Sequence, residues 1–541
     1  MKRRLLSALL TLALVFTGAT ALAHTADELG ALVSESAEYM ENTLRSPQVG
    51  SIGGEWAVIG LVRSGYPVPQ SYLDGYYSAV VEYIDACKGV LHDKKYTEYS
   101  RVSLALTAIG ADPTDVGGYN LLAPLGDFEK TIWQGINGPT WALIALDSGG
   151  YEMPVNNSAK TQAARQMYID EILSRQTRGG GWSLLGSVAG TEDVDVTAMV
   201  LQALAKYQVQ SAVKAATDEA LQWLSDAQGG DGGFSSWGTA NCESVVQTIV
   251  ALTELGIGLD DTRFVKNGVT LLDNLLTFRQ PDGSFLHTLS GSGSNQMASE
   301  QGLYALVAAH RAINNKSSLY RMDDAGAADY DFSEMDTGLA GKHADVQKAA
   351  IAKPGVTFED ISAHGNQVAV EALAARGIID GLGDGSFGPD RTMTRAQFAA
   401  IVARALGLPR EADSSFSDVP SGEWYAPYVG TASAYGIVNG VGDNKFNPGG
   451  MITRQEAAVM VSRAAALCGM DTDYTAAMTL DVLSQFGDYR TVEPWAEAGL
   501  AFCYGADILD QSDLGINPKE NILRCEVAQM LFNMLSSAKL L

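Results

Sequence analysis

One helical pattern recurs six times between about residues 26 and 320, and it constrains the fold of this 541-residue chain more than any other feature. In each copy the second and fifth positions are Val, Leu or Ile, and the first and fourth are mostly small. Small residues three apart let helices approach closely, and the aliphatic pair fills a core stripe. We therefore expect six buried helices. Their cores are 57–61, 105–109, 142–146, 200–204, 248–252 and 302–306.

Polar amphipathic segments alternate with these buried helices, and glycine-rich loops connect them. The loops that start at Gln176, Gln228 and Gln280 are 52 residues apart, and each combines glycines with an aromatic residue that closes a helix junction. Six inner and six outer helices predict a closed ring of two layers. The outer helices are expected near 26–45, 72–87, 127–136, 158–176, 214–228 and 262–280.

Residues 26–320 resemble the α/α toroid that terpene cyclases, protein prenyltransferase β-subunits and transcobalamin-type carriers share. The Gln-x-x-x-Gly-Gly-aromatic loops are similar to the glutamine–tryptophan repeat of those proteins. The resemblance implies an all-α fold, an α6/α6 toroid of squalene-cyclase-like and prenyltransferase-like repeats. It implies a fold far more strongly than a function.

A second repeat has three units, at 357–410, 415–470 and 485–541. Each unit runs from a Phe-x-Asp sequence to a segment such as Thr-Arg-x-Glu, and the Phe-to-Arg distances are 37, 38 and 38 residues. This combination resembles three tandem S-layer homology (SLH) domains, which implies a three-unit helical module. Between the two repeats, 321–356 is predicted to be a linker with a helical stretch around 343–352.

The SLH resemblance implies carbohydrate binding, specifically of a pyruvylated secondary cell-wall polysaccharide. An acidic protein needs fixed cations to hold a carboxylate-bearing sugar, and arginine can bind a carboxylate bidentately. The aspartates have an alternative role, in capping helices or fixing loops. The candidate polymer-binding residues are Arg395, Arg454, Arg524, Asp360, Asp418, Asp488, Trp424 and Trp495.

The three units are unequal. The middle unit matches best, which makes Arg454 the strongest single candidate. The first unit has Gln397 where Glu is usual and His364 near the usual Trp position, and the third has Leu523 and Cys525 in place of Thr and Ala. One of the three binding sites is therefore a candidate for a silent one.

Alignment of the starts of the inner helices places Asp195 and Glu243 in one layer and Glu55 and Glu300 in the next, with the two tryptophans beside them. This predicts a ring of carboxylates at the opening of the toroid. Helix capping is the alternative, since Asp and Glu favour first turns. The candidate cavity residues are Glu55, Trp56, Trp141, Asp193, Asp195, Glu243 and Glu300.

The stretch "DVDVTA" at 193–198 resembles the D-x-D-D-T-A motif of class II terpene cyclases, whose middle Asp protonates an alkene. The resemblance implies Asp195 as the general acid, but Val196 replaces the third Asp, and such an acid needs neighbours that hold its proton ready. The zinc-ligand pattern of prenyltransferases is missing. No catalytic residue is assigned, and Asp195 stays a candidate.

The N-terminus and the charge restrict environment and partners. Basic residues at 2–4, an apolar run over 5–16 and an Ala-Leu-Ala sequence predict a secretory signal peptide over 1–23. No later stretch has the roughly 20 apolar residues that span a bilayer, so we expect no membrane span after signal removal. The net charge of −26 argues against nucleic acid as a partner.

Five scattered cysteines and six histidines without HxxxH or CxxC spacing predict no disulfide framework, no metal and no cofactor. The leading hypothesis is a secreted protein held at the cell wall or S-layer surface, whose toroid binds a ligand. That ligand could be a corrinoid, a lipid-like molecule, a peptide or a glycan. A structural S-layer or adhesion component with a filled toroid, and an enzyme that uses Asp195, remain open.

Overall fold

A computed structural model describes residues 24–326, 337–410, 414–510 and 515–541, apart from 237, 292 and 363. The predicted signal peptide and part of the predicted linker, 327–336, lie outside the described residues. The regular secondary structure of the described residues is almost entirely helical, and the strands form one hairpin, β1 (Ser235–Ser236) with β2 (Thr239–Ala240). None of the described helices has both the length and the apolar character that crossing a membrane requires. The predicted all-α class is confirmed.

Six inner helices form a ring in the N-terminal part. Each packs against the next, and the last packs against the first, which closes the ring. The inner helices are α2 (Glu55–Ser64), α4 (Thr97–Ile109), α6 (Asn137–Ser148), α8 (Val194–Leu204), α10 (Cys242–Glu254) and α12 (Gln296–Ile313). The outer helices, which pack on the inner ones, are α1 (Ala26–Thr43), α3 (Gln70–Ala86), α5 (Phe128–Ile132), α7 (Arg165–Ser174), α9 (Ser211–Ala227) and α11 (Leu271–Phe278).

Burial separates the two layers as the sequence pattern predicts. Every residue of α10 is buried, whereas α9 buries only one face. Neighbouring inner helices run parallel. At the start of α2, the backbone N–H of Gly53 donates to Glu300 near the start of α12, and at the far end Arg311 of α12 donates to the carbonyl of Arg63 on α2. The N-termini of the inner helices therefore face one opening, which we call the mouth.

Aromatic side chains meet inside the ring, where Trp56 and Trp141 are half-buried. The rings of Trp56 and Trp141 lie 5.1 Å apart, and Trp141 also meets Tyr320 at 6.1 Å. On the other side, Trp56 lies 6.1 Å from Tyr304, whose hydroxyl accepts a 2.7 Å hydrogen bond from Gln247. Aromatic pairs at these separations are favourable beyond the area they bury. The two predicted cavity tryptophans therefore pack into the centre of the ring.

The segment after α12 folds over the end of the ring opposite the mouth. The side chain of Met322 is buried, and its N–H donates to the carbonyl of Ser148 at the end of α6. Asp324 forms ion pairs with the buried Arg63 and Arg311. This part of the predicted linker is thus packed against the toroid.

Three helix pairs form the C-terminal part. The second helix of each unit packs against the first helix of the next unit, and the third unit returns to the first. The helices of the three units are α13 (Gln367–Ala375) with α14 (Arg395–Ala405), α15 (Ala426–Ala434) with α16 (Arg454–Leu467), and α18 (Glu497–Gly505) with α19 (Arg524–Ser537). One additional helix, α17 (Ala476–Leu483), precedes the third unit.

The predicted helical stretch around 343–352 is wrong. This segment is not helical, and it lies along the C-terminal module with its backbone bonded to other elements. Gln347 N–H donates to the carbonyl of Leu406, and the N–H groups of Ala352 and Lys353 share the carbonyl of Ala375. Because these donors bond outside the segment, they are not available for the i to i−4 bonds of a helix.

Candidate functional site

Three arginines occupy equivalent places at the three junctions of the C-terminal module. Each sits in the first turn of the second helix of its unit and reaches a carbonyl in the next unit. Nε of Arg395 donates to Phe446 O at 3.0 Å, Nε of Arg454 to Ile516 O at 3.0 Å, and Nε of Arg524 to Phe387 O at 2.9 Å. We call these junctions the first, second and third grooves, in that order.

Two of the arginines are neutralised by the next unit. Arg395 forms an ion pair with Glu456 at 2.6 Å, and Arg454 forms one with Glu526. These glutamates are the third residues of their helices, and each also accepts a hydrogen bond from the backbone N–H of the residue before its helix, Thr453 or Leu523. Gln397 holds the same place in the first unit. Arg524 therefore has no carboxylate partner among the described residues, and its other side-chain bond goes to Asp380 O at 2.8 Å.

The predicted aspartates hold the loops that the arginines contact. Asp360 accepts from the N–H groups of Phe387 and Gly388, both at 2.7 Å. Asp418 and Asp488 each make the equivalent pair of bonds at 2.8 Å, in the second and third units. Burial tends to raise the pKa of Asp360, but these N–H donors outweigh it and hold the pKa below its usual range. All three aspartates thus fix loops.

The two predicted tryptophans are accessible. The exposed fractions of Trp424 and Trp495 are 54% and 57%, which is unusual for the largest apolar side chain. Backbone N–H of Glu493, two residues before Trp495, donates to Gln455, the neighbour of Arg454. Trp495 therefore belongs to the second groove, and the repeat puts Trp424 at the equivalent place in the first. Stacking on sugar rings is chemistry that such exposed indoles can supply.

At the mouth of the toroid, the structure brings Asp195 and Glu243 together. Burial raises the pKa of Asp195 to about 6; the Ser244 hydroxyl opposes this, and the charges of Asp193 and Glu243 add to it. Oδ1 of Asp195 and Oε1 of Glu243 are buried without a hydrogen-bond partner among the described residues. The second oxygen of Glu243 lies 2.8 Å from Nδ1 of His287. Burial also raises the pKa of Glu243.

The neighbouring acid Asp193 caps α8. Its Oδ1 accepts from the N–H of Val196, and its Oδ2 accepts from the hydroxyl of Ser236 in the β hairpin. Loops around this hairpin expose large apolar side chains. They are Leu184, Leu185, Val188 and Leu289. The mouth therefore combines unpartnered carboxylate oxygens with an apolar rim.

The other two predicted acids lie deeper and are held by protein groups. Glu55 is fully buried and forms a 2.8 Å ion pair with Arg101. Glu300 accepts from Gly53 N–H at 2.6 Å and from Gln296 at 2.8 Å, and burial raises its pKa to about 8. The alignment of helix starts pairs Asp195 with Glu243 and Glu55 with Glu300, and the structure gives these two pairs different surroundings.

Several site residues were absent from the sequence-based candidates. Arg101 follows Ser100, which aligns with Asp195 and Glu243, so extending the repeat alignment by one position could have found it. His287 lies in the loop before α12, outside any repeated motif, and its contact with Glu243 carries no local sequence signal. Gln247 on α10 donates to Tyr304 on the neighbouring α12, and this contact depends on how the two inner helices pack.

Two segments of the chain match the model of the S-layer homology domain, residues 357–399 and 415–458. These are the first two C-terminal units. The third unit lies outside the matched residues, yet its Asp488 and Arg524 make the equivalent contacts. The chain therefore carries S-layer homology domains.

Curated proteins with similar sequences include surface-layer proteins and polysaccharide-degrading enzymes such as an exoglucanase. The surface-layer 125 kDa protein of Lysinibacillus sphaericus is 33% identical over 175 residues, which is 32% of this chain and 14% of that protein. The exoglucanase XynX of Acetivibrio thermocellus is 30% identical over 192 residues, 35% of this chain and 17% of the relative. The S-layer protein sap of Bacillus anthracis is 29% identical over 190 residues, 34% of this chain and 21% of the relative.

The chain thus spans about a fifth or less of the length of these relatives. The S-layer homology domains and the surface-layer relatives indicate a secreted protein at the cell wall or S-layer surface.

Among solved structures, two terpene cyclases are similar to about half of the chain. The type II terpene cyclase MstE of Scytonema is 13% identical with a TM-score of 0.34, and the match covers 52% of this chain and 98% of that one. The ent-copalyl diphosphate synthase of Streptomyces platensis is 17% identical with a TM-score of 0.30, covering 51% and 50%. The closed ring of inner helices itself defines the toroid.

Proposed function

We propose that the C-terminal module binds a pyruvylated secondary cell-wall polysaccharide non-covalently and displays the toroid at the cell surface. The observation that carries this proposal is the cyclic placement of Arg395, Arg454 and Arg524 at three equivalent junctions. A repeating polymer offers the same acidic group many times, and a module with three equivalent arginine-bearing grooves can engage several of them at once.

The first and second grooves suit the polymer best. Each combines a guanidinium group, which can bind a carboxylate, with an exposed tryptophan, Trp424 or Trp495, that can cover a sugar ring. The glutamates that pair with Arg395 and Arg454 hold the guanidinium planes in place. The third groove lacks a tryptophan, since Gly365 and His364 occupy that region of the first unit.

Sedimentation of the full chain with isolated cell walls tests the anchoring role. We expect Arg454→Ala to lower the wall-bound fraction at least severalfold, because the second groove loses its fixed cation. Arg490→Ala is the matched control, since Arg490 is exposed in the third unit and contacts only its neighbour Tyr489 among the described residues. Arg454→Lys keeps the positive charge and so separates loss of the cation from a folding defect. Its wall-bound fraction should lie between those of the parent chain and Arg454→Ala. Equal sedimentation of Arg454→Ala and the parent chain would contradict the proposal.

For the toroid, we propose a ligand that binds at the mouth and does not enter the ring. Trp56, Trp141 and Tyr320 pack against one another in the centre, which favours a binding surface over an internal cavity. The unpartnered oxygens of Asp195 and Glu243 favour a ligand with a cationic or hydrogen-bond-donating group. The exposed leucines on the surrounding loops favour an apolar body.

Native mass spectrometry of the full chain, offered corrinoids, lipids and wall extract, tests this second proposal. We expect the parent chain to retain one of these three classes of ligand, and Glu243→Gln to lose that binding. A chain that retains none of these classes at its mouth would instead support the structural alternative. Asp195→Asn separates binding from catalysis, because turnover that disappears while retention survives would reveal an enzyme.

A further inference from the structure

Three residues with metal-binding side chains meet in the third groove. His364 comes from the loop before α13, Asp390 from the loop after Phe387, and Cys525 from the first turn of α19. One potential ligand atom from each lies within 4.8 Å of the other two. Imidazole, carboxylate and thiolate are the three protein ligand types of Zn²⁺. We propose that the third groove is a Zn²⁺ site formed by His364, Asp390 and Cys525.

The backbone holds two of these ligands in register. The N–H of Cys525 donates to the carbonyl of Pro389, the residue directly before Asp390, at 3.1 Å. Directly alongside, the N–H of Arg524 donates to Arg391 O at 2.8 Å, and its Nε donates to Phe387 O. The loop that carries Asp390 is thus bonded on both sides of that residue to the start of α19. Only side-chain rotation is needed to bring these two ligands together.

The third ligand is also supported. The backbone of His364 bonds in both directions, from its N–H to Ile361 O and from Gln367 N–H to its carbonyl. Its Nδ1 accepts from the N–H of Asn366 at 3.1 Å, and coordination exchanges this bond for the metal. Tetrahedral Zn²⁺ needs ligand atoms ~3.5 Å apart. The remaining contraction is about 1 Å, which the exposed carboxylate of Asp390 can supply.

The other two grooves provide an internal comparison. In the first groove, Ala396 N–H donates to the carbonyl of Pro448, just as Cys525 N–H donates to that of Pro389. Ala396 and Gly449 therefore take the places of Cys525 and Asp390. The second groove has Gln455 and Lys519 there. Neither groove can bind a metal in this way. Of the three grooves, therefore, the third alone has a metal-binding side chain at all three places. It is also the groove without the tryptophan and the glutamate of the other two.

Three protein ligands leave a fourth coordination position, which water or an external carboxylate can occupy. The nearby guanidinium of Arg524 is directed at the carbonyls of Phe387 and Asp380. The two anionic ligands, Asp390 and deprotonated Cys525, neutralise the charge of Zn²⁺, so Arg524 remains the cation of this groove and favours an anion at the open position. The site goes beyond polymer binding and does not depend on it.

Co²⁺ titration of the full, reduced chain tests the proposal, since Co²⁺ replaces Zn²⁺ and reports a thiolate ligand by its charge-transfer absorption. We expect one equivalent to bind with this band and Zn²⁺ to displace it. Cys525→Ala, which introduces the residue of the first groove, should abolish the band. Cys87→Ser is the matched control, because Cys87 is the half-exposed cysteine and the other four are buried. It should keep the band.

His364→Gln is the second variant and should weaken Co²⁺ binding at least tenfold, whether or not Cys525→Ala folds. Absence of a thiolate band in the parent chain, or a band that survives in Cys525→Ala or disappears in Cys87→Ser, would overturn the proposal. Unchanged affinity in His364→Gln would also overturn it.

Discussion

Nη1 of Arg395 lies 2.6 Å from Oε1 of Glu456, and this ion pair joins the first and second C-terminal units. Arg454 and Glu526 repeat it between the second and third units. Between the third and first units the pair is missing, because Gln397 takes the place of the glutamate. The module is therefore a threefold assembly in which one junction lacks the ion pair of the other two. The residue at one position, Gln397, causes this difference.

Exchanging these residues should change stability in opposite directions. Glu456→Gln keeps the capping interaction, as Gln397 shows, but leaves the buried Arg395 without its charge partner. We expect a loss of about 1–3 kcal/mol in the free energy of unfolding. Gln397→Glu gives Arg524 a partner and should stabilise the module by roughly 0.5–1 kcal/mol. Urea unfolding of both variants checks this, and shifts of the same sign would contradict it.

Glu300 should make stability depend on pH. Burial keeps this carboxyl protonated in the folded chain up to a pKa of about 8, whereas the unfolded chain releases the proton near pH 4.5. The folded state thus binds more protons between these pH values, and stability falls as pH rises through that window, by up to about 1.4 kcal/mol per pH unit.

Glu300→Gln removes this contribution, so its melting temperature should fall less between pH 5 and pH 8 than that of the parent chain. Glu38→Gln, an exposed substitution of the same type on α1, is the control and should follow the parent. Parallel pH profiles for Glu300→Gln and the parent would show that Glu300 is not the buried proton carrier.

Asp195 should cost stability at alkaline pH. Burial raises its pKa from the usual 3.8 to about 6, so stability falls as pH rises from about 3.8 through 6, and the full loss is present at pH 8. Asp195→Asn should raise the melting temperature at pH 8 and have a smaller effect at pH 5. Asp193→Asn is the control, because Asn caps a helix as well as Asp does, and it should change little at either pH. Lower stability of Asp195→Asn at pH 8 would contradict this account of the mouth.

Much of the toroid could be predicted from the sequence, because its helices repeat. Small and aliphatic residues recur at the same offsets in α4 and α10, and the ring places both helices in the buried layer. The aromatic cluster inside the ring could not be predicted in full. Tyr320 and Met322 come from the segment after the last repeat and are buried against the ring. That segment has no repeated or periodic apolar pattern from which its packing could be predicted.

In the candidate sites, too, some features could be predicted from the sequence and others could not. The three arginines stand at matched offsets, so their equivalence was visible in the sequence. Their partners were not, because Arg395 meets Glu456 across a unit boundary. Alignment of the helix starts paired Asp195 with Glu243 and Glu55 with Glu300. It did not predict Arg101 and His287, which give the two pairs different surroundings. His364, Asp390 and Cys525 are far apart in the sequence, and only the return of the third unit to the first brings them together.

Binding of the full chain to purified wall polysaccharide, with its pyruvate groups intact or removed by mild acid, tests the central claim most directly. If guanidinium groups at the grooves recognise the carboxylates, removal of pyruvate should weaken binding at least tenfold, and Arg454→Ala should weaken it only for the intact polymer. Equal affinity for the two polymers would contradict the claim that these grooves anchor the protein through the acidic sugar.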